Sequence, residues 1–463
     1  MAGLIAAGAS ELEAKLASFV KENRLPGAAA GVVHRQELAW SAAVGFADTD
    51  TLKPARAGTL YRIASITKTL TGTAIMQLRD AGRLALDDPA VDYLPELRGA
   101  VSPFAPIETV TIRRMLCHES GLAAEPPGTD WSVPAYQGEP GMALAHAGDI
   151  VLAFPANARH GYSDLAYQLL GEIVTRVSGT PYPRYLQESI LDPLSMSATC
   201  FDPLPATLLD RRATGYDWRA LSDALDPAPV MSPVWAEGGL WSCLEDLGRW
   251  VSFQLHAYKN PPADSPVLAA ASLREMHKAR YLADDNWTTA WGIAWGSNRR
   301  DDVIWIQHSG GLPGFTSTVC FDPGTEVGAI VLINGTSGSA ELGVDLASIA
   351  RTMVRAAPPV IEAPQPAPGH YRPLLGIYAR PGLGGWMLRL EWRDGNLTIT
   401  TPDTAAWRLT LAPTADPDVF TPEPGSSFSA ENVTFQRLAD GRIASVRLMD
   451  STFVRLDPVA ASG

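Results

Sequence analysis

Residues 61–78 read YRIASITKTLTGTAIMQL and place a serine and a lysine three positions apart, where a helix is predicted to begin. Side chains at positions i and i+3 share one face of a helix, so we expect the Lys68 amine beside the Ser65 hydroxyl. A serine hydroxyl becomes a good nucleophile when a neighbour takes its proton, and a desolvated lysine can do so. Alone the pair is a weak signal, because the same spacing arises by chance on ordinary helices.

The composition is that of a globular protein with more than one core. The chain has 463 residues, of which 46% are hydrophobic and 19% charged, and its formal net charge is −13. The length predicts two or three folded units. Because no long block of lysine and arginine occurs, the acidic balance argues against a nucleic acid or an anionic membrane surface as partner.

Cysteine and histidine usage points away from a metal centre. Cys117, Cys200, Cys243 and Cys320 are widely spaced, and the histidines form no H-E-x-x-H motif, so we expect reduced thiols and no metal. The glycine-rich nucleotide-binding motifs are also missing from the sequence, so no cofactor is expected. The N-terminal stretch has no basic segment and no apolar run of transmembrane length, which predicts a cytoplasmic protein. A mature secreted form with a new initiator methionine is the alternative.

Strand patterns stand at both ends of the first 357 residues. Residues 28–47 predict two strands joined by a turn at residues 35–37, and residues 291–335 predict further short strands. Between them, residues 85–230 are rich in proline, glycine and short helical patterns. Ser10 and Glu13 form a capping box that predicts an N-terminal helix. We predict a mixed α/β fold in which the late strands and a last helix return to the first sheet.

A proline-rich stretch then divides the chain. Residues 357–369 read APPVIEAPQPAPG, which is typical of a stiff, extended linker. Beyond it, Trp386 and Trp392 belong to an alternating run, and Asp394-Gly395 stands at a hairpin position. We assign residues 1–357 to the first domain, with a helical subdomain at about 85–230, residues 358–369 to the linker and residues 370–463 to a small antiparallel β-barrel or sandwich. The two tryptophans are expected in its core rather than in a ligand cup.

Two further segments add to the Ser65 motif. Tyr162–Asp164 (YSD) precedes the predicted helix LAYQLLGEIVTRVSG, and a loop tyrosine above a serine can shuttle protons. His308–Gly311 (HSGG) ends the apolar strand DVIWIQ. Small residues at that place let a substrate backbone lie along the strand and leave N–H groups free to bind it. Each segment alone also fits an ordinary packed loop or a glycine turn.

Taken together, the three segments resemble the serine β-lactamase and penicillin-binding-protein superfamily. The similarity is to its branch of class C β-lactamases, DD-peptidases, D-aminopeptidases and family VIII esterases. Residues 111–122 (TIRRMLCHESGL) and 235–250 (WAEGGLWSCLEDLGRW) resemble other segments of that branch. The resemblance covers about residues 10–357 and implies an antiparallel sheet flanked by helices, with a mostly helical subdomain. Residues 376–381 (GIYARP) make the C-terminal module resemble the lipocalin-like β domain of some members.

The resemblance also implies roles for individual residues. Ser65 would be the acylated nucleophile, and Lys68 and Tyr162 would share the general acid–base work. The N–H groups of Ser65 and Gly311 would form the oxyanion hole. The predicted substrate-binding residues are Asp164, His308, Ser309, Gly310 and Gly311.

Two residues depart from the pattern of the branch. Asp164 stands where asparagine is usual, and a carboxylate near Lys68 favours the charged ammonium, which shifts the expected role of base toward Tyr162. His308 replaces the lysine of other members and carries little charge near pH 7. A site with this histidine attracts a substrate carboxylate less than a lysine would, which favours neutral esters, amides or short peptides.

We therefore predict a serine hydrolase that works through an acyl-enzyme on esters, amides or short peptides, with D-configured residues among them. A β-lactamase or DD-carboxypeptidase, or an acyltransferase, is the alternative within the same chemistry. A binding or sensing protein that has lost turnover is the alternative outside it. The expected partner is a small-molecule ester, amide or short peptide, and neither a nucleic acid nor a membrane.

Overall fold

The computed structural model describes residues 5, 8–129, 141–218, 225–228, 235–258, 265–336, 338–356, 366–381, 387–393, 395–401, 404–423, 431–448 and 450–456. The chain divides into two compact units, Met1–Ala357 and Pro358–Gly463. Most of the predicted linker at residues 358–369 lies outside the described residues.

The first unit is built on an antiparallel sheet. The strands in its described residues are β1 (Gly27–His34), β2 (Glu37–Asp48), β3 (Lys53–Pro54), β4 (Tyr61–Arg62), β5 (Tyr216–Trp218), β6 (Leu225–Pro227), β7 (Trp241–Ser242), β8 (Tyr281–Leu282), β9 (Thr289–Trp291), β10 (Gly296–Arg300), β11 (Val303–Leu312), β12 (Phe315–Asp322) and β13 (Val327–Ile333). The main sheet has the order β3-β2-β1-β13-β12-β11-β10-β9-β8 within the described part of the chain. Strands β4 and β7 pair separately, as do β5 and β6.

The centre of the sheet joins the two ends of the unit. Strand β1 pairs with β13 in antiparallel register, with Ala28 opposite Ile333. Strand β11 pairs with β12, with Gly310 opposite Ser317. The late strands thus return to the first sheet, as the sequence predicted. Strands β1 and β13 are buried along their whole length, which explains why they read as continuous apolar runs.

Helices cover both faces of this sheet. They are α1 (Ala9–Glu22), α2 (Thr67–Asp80), α3 (Ala90–Tyr93), α4 (Ile112–Leu116), α5 (Met142–Ala145), α6 (Asp164–Ser178), α7 (Tyr182–Leu186), α8 (Leu244–His256), α9 (Ala270–His277) and α10 (Ser339–Ala356). Alternate residues of β1 belong to two cores, because successive strand side chains point to opposite faces. Ala28 and Ala30 pack with α1 and α10, whereas Ala29 and Val33 pack with α8 and the helical region.

The capping prediction at Ser10 is wrong. Helix α1 begins at Ala9 after the N-cap residue Gly8, and Ser10 is exposed inside the first turn. Gly8 lies directly against the Met353 side chain of α10, so a side chain at the N-cap position would require the flexible end of Met353 to move. This packing joins two segments far apart in the sequence, so the local pattern could not indicate it. Leu12, Leu16 and Val20 of this helix are buried.

In the described part of the region between the two strand groups, most of the regular elements are helices, as predicted. It contains α3 to α7 and several 3-10 turns, and α7 continues as a π-helical turn, Gln187–Leu191. Helix α2 lies against α6 and is buried over most of its length. It ends at Asp80. This arrangement brings the first turn of α2 and the first turn of α6 together.

The second unit is a closed barrel with its own core. Its described strands are β14 (Gly376–Ala379), β15 (Met387–Arg393), β16 (Asn396–Thr401), β17 (Thr404–Pro413), β18 (Val419–Pro422), β19 (Val433–Arg437), β20 (Ile443–Leu448) and β21 (Ser451–Leu456). Gly395 and Gly441 adopt positive φ angles at hairpin turns, as the sequence indicated. Trp392 packs partly against the core, while Trp386 and Asp394 lie outside the described residues. The barrel confirms the predicted β module, and its likeness to lipocalins stays a prediction.

Candidate active site

Ser65 lies in a strained turn just before α2. The turn is the 3-10 segment Ala64–Ile66, and Ala64 has a φ angle of +45°, which an L-residue rarely adopts. Strand β12 supports the turn from the sheet, because the Ser317 hydroxyl donates a hydrogen bond of 2.8 Å to the Ile63 carbonyl oxygen. The nucleophile predicted from the sequence is therefore held on a rigid support at the start of a buried helix.

Lys68 is fully buried and makes three polar contacts with its ammonium group. It donates to Ser65 Oγ at 3.0 Å and to the main-chain oxygen of Glu237 at 2.6 Å. It also forms a close ion pair with the Asp164 carboxylate. The spacing of three residues thus brings Lys68 to Ser65, and the departure from asparagine at position 164 puts a negative charge on the same ammonium.

The ion pair determines the protonation of Lys68. Burial is the largest influence and would lower the pKa of Lys68, because a buried ammonium loses its hydration. The Asp164 carboxylate and the Tyr162 side chain outweigh burial and hold the pKa of Lys68 above its usual value. Lys68 is therefore a charged ammonium near neutral pH, as the sequence argument about Asp164 expected.

Tyr162 lies beside the same ammonium. Lys68 Nζ lies 5.0 Å from the centroid of the Tyr162 ring, and side-chain hydrogen bonds link Tyr162 to Ser65 and Lys68. Burial raises the pKa of Tyr162, Lys68 opposes the increase, and Asp164 adds to it. The phenol is therefore protonated near neutral pH. Asp164 disfavours both candidate bases, which the sequence argument had considered only for Lys68.

A buried histidine supports the tyrosine. The His118 ring stacks on Tyr162 with centroids 4.2 Å apart, and its Nδ1 accepts a 3.1 Å hydrogen bond from the Ser163 N–H. The Ser163 hydroxyl in turn accepts from the Ala166 N–H and caps α6. Burial lowers the pKa of His118 well below its usual value, which keeps the imidazole neutral. The sequence alone indicated no role for His118, although it lies in the segment 111–122 that resembles the family.

His308 is a neutral, buried side chain. Its Nδ1 lies 2.8 Å from the Ser309 carbonyl oxygen, and its ring centroid lies 6.4 Å from that of Tyr162. Burial, together with the nearby Lys68, lowers the pKa of His308 to about 3. His308 therefore brings no positive charge at neutral pH, in agreement with the expectation that this position attracts a carboxylate less than a lysine would.

The three residues after His308 line up along β11 with different surroundings. The Ser309 hydroxyl lies 3.0 Å from Thr318 Oγ1 on β12. A Cβ on Gly310 would come within 2.3 Å of the Ile63 carbonyl oxygen, so only glycine lets β11 approach the nucleophile turn this closely. Gly311 is exposed, and a Cβ there would meet no described atom within 4 Å. An open strand edge beside Ser65 can receive an extended substrate.

Ser65 and Gly311 line one cavity of about 510 Å³. Leu312 and Phe315 contribute apolar surface to its lining, and Asp164 contributes a carboxylate. The structure thus brings the predicted nucleophile, the predicted oxyanion residue and the Asp164 carboxylate to one space. A second cavity of about 540 Å³, which includes Glu245 and Arg249, contains none of the predicted site residues.

Glu237 is a site residue that the sequence argument missed. It is 3% exposed and lines the Ser65 cavity, and its Oε1 accepts a 2.8 Å hydrogen bond from Gln168 Nε2. Its Oε2 is buried and has no hydrogen-bond partner among the described residues. The only signal in the sequence is a glutamate among small residues in the segment AEGGL. The resemblance of this segment to the family gave the glutamate no role.

Other features bear on cofactors and membranes. Within the described ranges, no group of three or more His, Cys, Asp or Glu residues is placed to hold a metal ion. The four cysteines are free thiols, and three of them are buried while Cys200 is partly exposed. No helix in the described part of the chain combines the length and the apolar character needed to cross a membrane.

Comparisons with known proteins agree with the fold. The family described as Beta-lactamase matches residues 12–353. The chain is 28% identical over 323 residues to Protein flp of Staphylococcus aureus (strain COL), which covers 68% of this chain and 61% of that protein. The chain thus spans less than two thirds of the length of this relative.

Two further proteins are matched over a larger share of their own length. Penicillin-binding protein 4 of Amycolatopsis lactamdurans is 28% identical over 377 residues, covering 78% of this chain and 95% of that protein. Among solved structures, the octameric penicillin-binding protein homologue from Pyrococcus abyssi superposes with a TM-score of 0.63 at 21% identity, over 96% of this chain and 99% of that one. At that identity the similarity concerns the fold alone.

Proposed function

This chain belongs to the β-lactamase family, and we propose that it is a serine hydrolase that forms an acyl-enzyme on Ser65 with neutral esters, amides or short peptides. The observation that carries the proposal is the 3.0 Å contact between the Ser65 hydroxyl and the buried Lys68 ammonium. The strained turn, the protonated Tyr162 and the cavity around Ser65 support it. A partly exposed nucleophile with two adjacent proton carriers is the arrangement that acyl transfer needs.

The first step places the substrate carbonyl in the cavity. The carbonyl oxygen would receive hydrogen bonds from the main-chain N–H groups of Ser65 and Gly311. Both residues line the cavity. Such donors stabilise the negative charge that develops on the oxygen when the serine attacks. The open edge at Gly311 would hold the rest of an extended substrate.

The proton of Ser65 would pass to the Tyr162–Lys68 pair and from there to the leaving group. Asp164 holds this pair fully protonated near neutral pH, so only a small fraction carries the vacancy needed to accept a proton. The rate should therefore rise with pH over the neutral and mildly alkaline range. Water would then release the acyl group, with the same pair acting in the reverse direction.

The neutral His308 supports neutral substrates over substrates with a carboxylate. Its pKa of about 3 leaves no positive charge on this side chain near neutral pH. A β-lactam or a peptide with a free carboxyl terminus would therefore gain little electrostatic attraction there. We rank esters, amides and short peptides before a β-lactamase or DD-carboxypeptidase activity, and product analysis with an added nucleophile would separate hydrolysis from acyl transfer.

A protein that binds substrates but turns them over very slowly is the second candidate. The specific observation in its favour is the Asp164–Lys68 ion pair, which reduces the fraction of a competent base. A slow deacylation would make such a protein a covalent sensor. Single-turnover kinetics distinguish the two candidates, because the sensor accumulates a long-lived acyl-enzyme.

The experiment that tests the proposal is hydrolysis of p-nitrophenyl butyrate by the wild type and by Ser65→Ala. We expect release of p-nitrophenol that disappears in the variant, because the alanine has no nucleophile. Ser348→Ala, which removes a partly exposed hydroxyl from α10, is the matched control and should keep the wild-type rate. Equal rates in the wild type and in Ser65→Ala would refute the assignment of the nucleophile.

A further inference from the structure

His118 contacts three consecutive residues of the loop that carries Tyr162. Its carbonyl oxygen accepts a 2.8 Å hydrogen bond from the Gly161 N–H, and its ring stacks on the Tyr162 ring. Its Nδ1 accepts a 3.1 Å hydrogen bond from the Ser163 N–H. The loop is therefore held just before Tyr162, at the Tyr162 ring and just after it. One residue thus fixes both the backbone and the ring that set the place of the phenol oxygen.

The backbone at position 118 suits glycine or asparagine better than histidine. His118 follows Cys117, the C-cap residue of α4, and has a φ angle of +59°. A residue with a positive φ angle commonly follows a helix C-cap, and glycine or asparagine adopts it at the lowest cost. A histidine held in this conformation indicates that its side chain contributes something to the site.

Other side chains keep the imidazole in place and uncharged. His118 is fully buried, and the ring centroids of Tyr167 and Trp291 lie 5.2 Å and 4.9 Å from its own. Burial and the nearby Lys68 ammonium hold the pKa of His118 well below its usual value. Because the ring is neutral, it does not repel the ammonium. The stack on Tyr162 is therefore compatible with a charged Lys68.

We propose that His118 is a positioning residue that keeps the Tyr162 phenol oxygen beside Ser65 during acyl transfer. The inference rests on the acyl-enzyme chemistry proposed for Ser65. Side-chain hydrogen bonds link Tyr162 to Ser65 and Lys68, and a phenol displaced by about 1 Å would pass protons less well. In this role His118 acts through Tyr162 and exchanges no proton itself.

A double-mutant cycle tests the coupling between the two residues. We would measure kcat and KM for p-nitrophenyl butyrate in the wild type, His118→Gly, Tyr162→Phe and the double variant. His118→Gly should lower kcat by about 10- to 100-fold and leave KM little changed, because the phenol serves both acylation and deacylation. In the Tyr162→Phe background the same substitution should change kcat by less than about twofold, since no phenol oxygen is left to position.

A conservative variant and a matched control separate positioning from folding. His118→Asn keeps a hydrogen-bond acceptor for the Ser163 N–H and suits the backbone, so it should retain more activity than His118→Gly. His277 is another buried histidine, which stacks on Tyr258 and has its Nδ1 2.9 Å from the tyrosine hydroxyl. His277→Ala should lower the melting temperature and leave kcat unchanged. If His118→Gly does not fold, His118→Asn replaces it in the cycle.

Two results would overturn the proposal while leaving the hydrolase function in place. One is a cycle in which the losses from folded variants are additive, and the other is an equal loss of kcat in His118→Gly and His118→Asn. If Tyr162→Phe has no measurable rate, the comparison of His118→Gly with His118→Asn decides alone. A wild type without Ser65-dependent hydrolysis would instead contradict the proposed function, and the inference about His118 would fall with it.

Discussion

Replacing Asp164 by asparagine tests the electrostatics of the site in one step. The change keeps the size of the side chain and removes the negative charge that faces Lys68. That charge raises the pKa values of both Lys68 and Tyr162. Without it, only the Tyr162 side chain offsets the burial of the ammonium, and the pair should lose a proton at a lower pH.

The size of the change follows from the charges. Two unit charges about 4 Å apart interact by about 4 kcal/mol at an effective dielectric constant of about 20. That energy corresponds to about 3 pKa units. Lys68 is fully buried but the Asp164 side chain is 20% exposed, so water screens part of the interaction. We expect the apparent pKa of the Tyr162–Lys68 pair to fall by about 2 to 3 units on this estimate.

The assay is the pH dependence of kcat/KM for p-nitrophenyl butyrate between about pH 6 and pH 9.5, corrected with Ser65→Ala. The wild-type rate should still be rising at the alkaline end, because the pair is protonated over most of this range. In Asp164→Asn the rise should move to lower pH, with a rate at pH 7 about 10- to 100-fold above the wild type. Glu245→Gln should follow the wild-type profile.

One result would refute this reasoning. If folded Asp164→Asn is slower than the wild type at every pH, the carboxylate must itself take part in the transfer of the proton. An unchanged profile would show that the ion pair does not control the base. Thermal melting of the variant distinguishes either result from a loss of structure.

Three further predictions concern the strand, the histidine and the domain organisation. Gly310→Ala should lower the free energy of unfolding by about 1 to 3 kcal/mol, because its Cβ would meet the Ile63 carbonyl, whereas Gly311→Ala should not lower it. Urea unfolding measures both variants, and equal losses would contradict the packing argument. His308→Lys should favour an ester substrate that carries a carboxylate over the same substrate with that carboxylate methylated, and the ratio of the two kcat/KM values should rise about tenfold. An unchanged ratio would show that charge at position 308 does not select the substrate. Residues 1–357 alone should stay folded and keep Ser65-dependent hydrolysis, because the cores of the two units are separate. Loss of structure in circular dichroism, or aggregation in light scattering, would contradict this prediction.

The features that the sequence could predict are those with a local cause. The pairing of Ser65 with Lys68 follows from helix geometry, and the strands follow from short apolar runs between turn residues. The joint order of the three motifs also predicted Tyr162 and the segment His308–Gly311 as site residues. The structure places them around the turn that carries Ser65. Local rules sufficed because each motif is a short, contiguous segment of the chain.

The features that the sequence could not predict depend on contacts between distant segments. The environment of Glu237 is made by Gln168 on α6 and by Lys68 on α2, which lie 69 and 169 positions away in the chain. The protonation of Tyr162 likewise depends on burial and on Asp164 together. At the N-terminus, the N-cap residue is Gly8 and not Ser10, and Gly8 lies against Met353 from the other end of the unit.

The most direct test of the central claim is the mass of the intact protein after a rapid acid quench with p-nitrophenyl butyrate. We predict an added butyryl group on the wild type, located by peptide mapping to the fragment that contains Ser65. The Ser65→Ala variant should carry none. A butyryl group on another residue, or equal labelling of the two proteins, would contradict the assignment of Ser65 as the nucleophile.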